Sequence, residues 1–390
     1  MKNISLVTKQ DAFYLQLAVF ALVSAAFANI YLTQPILPVL QEEFGADMVR
    51  VSLSVSSVIL GIAVSNLPFG MLADKLPIQP IILCGGLLVA CCGFLCALTR
   101  DLWLLIVARF FQGLFIPSMT TCLAAYLAKT LPYERLNVVM GAYVSATVCG
   151  GLGGRLIGGW IHRPLHWRYA FLTASSLLLI AAALNYRLLP KAPVDKRPAQ
   201  LSVRSWVLLS QWPLLRMYFC AAGSFAIFSS IFNYLPFRLA AAPFYFSTEM
   251  TTALYLTYVI GIFIGPLAGK MSNRLGNGTA LISGGSVLVL SLGLLLLPSI
   301  VAVIGGLIFL CAGYFTIHAA AVGALNRKLT AGQGRANALY VLFYYAGGWT
   351  GITLTGLFYA NSGWEAVVQF CAVILVIPIG VGFIERGKSG

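Results

Sequence analysis

The chain has 390 residues, of which 59% are hydrophobic and 9% charged, and its formal charge is +14. Ordinary soluble domains carry about 25% charged residues, so a soluble fold of this size is excluded. The basic residues collect between apolar runs rather than on one stripe, so no nucleic-acid partner is expected.

Those apolar runs recur from end to end, and each reaches the roughly 20 residues needed to cross about 30 Å of hydrocarbon. Twelve spans are predicted, near 13–40, 51–73, 80–98, 102–128, 136–160, 169–189, 217–239, 251–271, 279–297, 300–325, 337–360 and 366–384. They are helices, because backbone groups in lipid must be satisfied within the segment. The fold class expected is an all-α membrane protein, with twelve transmembrane helices in two pseudo-symmetric six-helix bundles. The longest loop contains PKAPVDKRPAQLSVRS and divides the chain into an N-terminal bundle, 1–190, a linker, 191–216, and a C-terminal bundle, 217–390. Ala26-Phe27-Ala28 resembles a processing site, but the apolar run continues to Leu40, so the first helix is expected to be retained.

If the N-terminus is cytoplasmic, inner loops and tails hold eighteen basic residues and outer ends five: Arg50, Arg100, Arg163, Arg168 and Arg238. That bias is the positive-inside pattern and predicts both termini in the cytoplasm. All nine cysteines fall inside spans and read as small apolar filler, without metal-ligand spacing. No metal or cofactor is expected.

The two halves echo each other. RLN at 135–137 recurs as RAN at 335–337, and at that offset of 200 Gly113 falls on Gly313 and Gly151 on Gly351. Parallel repeats of this kind belong to transporters that rock around a midplane site.

Four sequence pieces make the resemblance specific. The first span ends in Pro35-Ile36-Leu37-Pro38, and the second is followed by GMLADK at 70–75. Span four holds Arg109-Phe110-Phe111-Gln112-Gly113. Span five spaces Gly141, Gly150, Gly154, Gly158 and Gly159 around Arg155. Together they resemble the major facilitator superfamily, and within it the drug:proton antiporter-like exporters of bacterial inner membranes. The span-five spacing resembles the antiporter motif, with arginine where that family usually has proline. The loop after Asp74 lacks the further basic residues the family places there.

The resemblance implies a proton-driven secondary exporter working as a monomer in the lipid bilayer, and no enzyme. It also implies substrate or proton handling by Arg109 and a gating role for Asp74. Two alternatives stay open: an importer of the same substrate class and a non-transporting scaffold.

Two basic residues, Arg109 and Arg155, lie inside spans, while all eleven acids fall in loops, tails or span ends. An arginine at the bilayer centre costs about 2.5–3.5 kcal/mol on insertion scales. At 1.5 Å per residue Arg109 lies about 10 Å and Arg155 roughly 8 Å from the outer ends of their spans. Snorkelling, backbone hydrogen bonding and a water-filled site for an anion all remain open for them. The charge census favours a small neutral or anionic organic substrate, a carboxylate metabolite or siderophore among the options. Asn29, Tyr31, Gln34, Arg109, Gln112, Arg155, Asn233 and Tyr234 are the candidate substrate contacts. His318, the single histidine inside a span, joins Asp74, Gly150, Gly154 and Gly158 as candidates for coupling or gating. Packing is the competing role for the glycines and for His318. In YVLFYY, 340–345, Tyr344 and Tyr345 are the candidates to face a cavity.

Overall fold

Proline and glycine set the breaks that shape the bundle. The computed structural model describes residues 9–73, 75–131, 133–189, 205–329 and 332–387. Among them the regular structure is helical. The first span is α1 (Lys9–Tyr31), a 3₁₀ turn at Gln34–Ile36 and α2 (Leu37–Phe44). Pro35 has no N–H to continue α1, so the helix stops short and restarts. The next two spans are α3 (Met48–Leu72) and α4 (Ile78–Leu98). Span four breaks in the same way, at Pro117 between α5 (Leu102–Phe115) and α6 (Thr121–Thr130). The first half closes with α7 (Tyr133–His162) and α8 (Trp167–Leu188).

A short α9 (Ser205–Leu209) precedes α10 (Trp212–Ala240). Span eight is α11 (Thr248–Leu254), a 3₁₀ stretch at Tyr255–Val259 and α12 (Ile260–Leu275). Then come α13 (Asn277–Leu296), α14 (Ile300–Arg327) and α15 (Gln333–Arg386). The 54 residues of α15 would extend about 80 Å if straight, far beyond one crossing. They turn at Gly363, φ 71°, which separates limbs at 333–362 and 364–386. Ten segments are long and apolar enough to span a membrane, α15 among them. Its two limbs and α7, whose apolar character glycine and Arg155 dilute, bring the crossings to twelve.

Acids at span ends act as caps rather than as intramembrane charges. Asp47 accepts from the Arg50 N–H (2.8 Å) and Asp101 from the Leu104 N–H (2.7 Å). Such N-caps satisfy donors that a helix leaves open at its start. Exposed side chains such as Leu98, Val301 and Phe383 form the surface that lipid covers.

One shifted boundary matters for the charges inside the bundle. α10 begins at Trp212, five residues before the expected 217. Pro213 sits in its first turn, where a missing N–H costs nothing. Arg216, which reads as a loop residue, is instead buried and ion-paired with Glu385 at 2.9 Å. Residues 191–204 of the expected linker lie outside the described residues.

The repeat also differs in register. α7 packs on α1 through a ladder: a Cβ at Gly150, Gly154 or Gly158 would collide with backbone of Ser24, Ala28 or Leu32. In the second half Gly347 meets Ala222 and Gly351 meets Ala226 in the same way. Thr355 Oγ1, donating to Ser230 Oγ at 2.9 Å, forms the third rung. Gly351 therefore matches Gly154, not Gly151. Single glycines recur too often along these helices for sequence alone to fix the offset.

Candidate site between the two halves

α7 presents two adjacent rows of residues to two different neighbours. Gly150, Gly154 and Gly158, four apart, lie against α1, where small residues allow backbones to approach closely. Expected as gating residues, they are close packing contacts in an unbroken helix. Gly151, Arg155 and Gly159 form the next row and face the other half of the molecule. A Cβ at Gly159 would collide with Thr252 of α11, and one at Gly151 would lie 3.7 Å from the Tyr258 hydroxyl.

Arg155 is 1% exposed, so it does not snorkel. Its Nε donates to Gln34 Oε1 (2.7 Å) and its Nη1 to the Gly151 carbonyl (2.8 Å). Four rings surround the guanidinium: Tyr31 at 4.3 Å, Tyr258 at 5.0 Å, and Phe232 and Tyr255 at 5.4 Å. The Tyr258 hydroxyl also lies near the charge. Ring faces attract a cation by about 0.5–1 kcal/mol at exposed sites and by about 2 kcal/mol or more when water is excluded. Tyr31 and Gln34 come from the first half, and Phe232, Tyr255 and Tyr258 from the second. The cage therefore straddles the two halves.

Further links join the halves near this end, away from the termini. Asn233 Nδ2 donates to Ser52 Oγ at 3.0 Å, and Arg163 pairs with Glu249 at 3.4 Å.

Arg109 has a different setting, entirely within the first half. Its Nε donates to the Ser54 carbonyl (2.9 Å), Nη2 to the Ile30 carbonyl (2.6 Å), and Nη1 to both the Asn29 carbonyl (2.5 Å) and Gln112 Oε1 (2.7 Å). The last carbonyls of a helix have no partner within it. Arg109 supplies partners where α1 stops before Pro35. It has no exposed surface, and neither has Gln112, whose Nε2 donates to the Val89 carbonyl. Expected as substrate contacts, both are structural ties in this conformation.

The other candidates disperse. Asn29 Nδ2 donates to the Ala25 and Ala174 carbonyls, inside the first bundle. Tyr234 donates to the Ile352 carbonyl at 3.0 Å, inside the second. His318 Nδ1 lies 3.0 Å from the Tyr340 hydroxyl, in a cluster of rings on α14 and α15. Asp74 lies outside the described residues. Sequence reasoning missed the second-half cage members Phe232, Tyr255 and Tyr258, which no spacing links to Arg155. It also missed Glu385, which reads as a tail acid but is buried between Arg216 and Lys328.

The fold and the paired halves agree with known relatives. The profile described as Major Facilitator Superfamily matches residues 19–331. The chain belongs to the Major Facilitator Superfamily. It is 30% identical over 373 residues to the inner membrane transport protein YnfM of Escherichia coli K12, covering 94% of this chain and 89% of that one. It is 25% identical to a chloramphenicol resistance protein of Pseudomonas aeruginosa, covering 100% of this chain and 94% of that one. A bacterial homolog to the human lysosomal transporter Spinster, solved inward-facing and unoccupied, shares the fold with a TM-score of 0.80 at 13% identity. That comparison covers 98% of each chain. This superfamily member is thus a multi-pass membrane transporter rather than an enzyme.

Proposed function

We propose that this transporter exports a small organic anion, using the proton gradient and holding the anion at Arg155. One observation carries the reading: the cage charge lies between the halves, with polar and aromatic contacts and, among the described residues, no carboxylate paired with it. A guanidinium offers a forked pair of donors suited to a carboxylate, so a transported anion would meet it reversibly. The basic bias supports cytoplasmic termini, and the cage then closes the outer side. The span-five glycine spacing and the 25% identity to a chloramphenicol resistance protein support export. Tyr340 and His318 form a polar pair suited to proton handling. No cofactor is required, and a monomer holds the complete site.

The test is uptake into proteoliposomes of organic anions, their neutral amides and amines of similar size, with and without an imposed pH gradient. Gradient-dependent movement of the anions is expected. Movement of amines alone would overturn the anion reading, and gradient-independent movement would overturn proton coupling.

A further inference from the structure

The two halves contribute unlike chemistry to the space between them. By the ladder register, Phe225, Phe228 and Phe232 of α10 match Phe27, Ile30 and Gln34 of the first span. Gln34 accepts from Arg155, whereas its counterpart Phe232 lays a ring over the same guanidinium. The first half thus supplies a polar pole and the second a wall of rings.

That wall begins at the cage and runs away from it. Tyr258 contacts Phe315 edge-on at 5.6 Å, Phe228 stacks on Tyr314 at 4.1 Å, and Phe225 stacks on Tyr344 at 3.8 Å. The Tyr314 and Tyr344 hydroxyls meet at 2.5 Å, which fixes both rings. A Cβ at Gly348, against the Phe225 ring, would lie 3.5 Å from Ile59 of the first half. The wall therefore faces the first half. Tyr258, Phe315 and Tyr344 keep partly exposed surface.

We infer that this space takes a planar aromatic carboxylate. The carboxylate meets Arg155 beside the Tyr258 hydroxyl, and the ring lies against Tyr258, Phe315 and Tyr344. The inference rests on the anion reading above and narrows it to a substrate class. Offset or edge-on ring contacts add about 0.5–1.5 kcal/mol each beyond the area they bury, so a flat ring is favoured over a saturated one of equal size.

Equilibrium binding to the purified full chain in nanodiscs tests this with three probes: 2-naphthoate, its saturated decahydro analogue and 2-naphthamide. The expected order is 2-naphthoate tightest, with the saturated acid about tenfold weaker, as one or two ring contacts imply. The amide should be weaker by at least as much, for want of a charge. Phe315→Leu should shrink the preference for the flat ring to about twofold and leave the preference over the amide in place. Equal binding of both acids would overturn the ring preference while leaving the anion reading intact. Equal binding of the amide would overturn the anion reading beneath it, and no binding of 2-naphthoate would overturn the inference outright.

Discussion

α7 on α1 and the first limb of α15 on α10 are the same construction built twice. Each has a ladder of small residues that lets two backbones touch, and each has an adjacent row turned toward the opposite half. In the first half that row reads Gly151, Arg155, Gly159; in the second it reads Gly348, Ile352, Gly356. Gly348 and Gly356 approach Ile59 and Val49 of the first half, as Gly159 approaches Thr252 of the second. The construction thus packs with a buried isoleucine at the central position. A charge there is not a packing requirement. Arg109 gives the opposite lesson, since its charge serves carbonyls that a broken helix would otherwise leave unpaired.

The comparison breaks most visibly at Arg109. Arg109→Ala would strand the helix-end carbonyls of Asn29 and Ile30 and remove a second bond to that of Ser54, and each unsatisfied buried group costs about 1–3 kcal/mol. Loss of monodisperse folded protein is expected in detergent size-exclusion chromatography. Arg109→Lys should not restore it, because one ammonium cannot span four acceptors. Normal yield and thermal midpoint for the alanine variant would mean that the α1 break holds without its tie.

A smaller effect separates the two rows of α7. Gly154→Ala would drive a methyl into the Ala28 backbone, whose Cα would lie only 2.7 Å away, an overpacking worth about 1–3 kcal/mol. Gly151→Ala places its methyl 3.5 Å from the nearest side-chain atoms, an ordinary contact, and should fall within about 0.5 kcal/mol of the parent. Thermal unfolding of the two variants side by side checks the assignment. Equal destabilisation would mean that the rows are not distinct.

Much of this was legible before any coordinates. Long apolar runs fixed the count of crossings, because lipid leaves a spanning chain few options. The glycine spacing marked α7 as a close-packing helix, and the isolation of Arg109 and Arg155 from acids marked both as unusual. What the two arginines meet was not legible. Pro35 shows that the first helix breaks, but nothing in sequence says that an arginine about 75 residues on ties the break. The cage around Arg155 draws on residues from the first, fifth, seventh and eighth spans, and their convergence is a property of packing alone. Depth from the membrane surface suggested snorkelling for Arg155, yet its side chain turns inward, toward the other half.

The most direct measurement is to write the second half's residue into the first. Arg155→Ile should keep or raise the thermal midpoint, since it removes a buried charge from a construction already built around isoleucine. Its affinity for the organic anion most strongly transported by the parent should fall by about 1.5–3 kcal/mol, the range for a charged hydrogen bond. Undiminished anion affinity, or a collapsed fold, would contradict the claim that Arg155 is spare to packing and serves the transported anion.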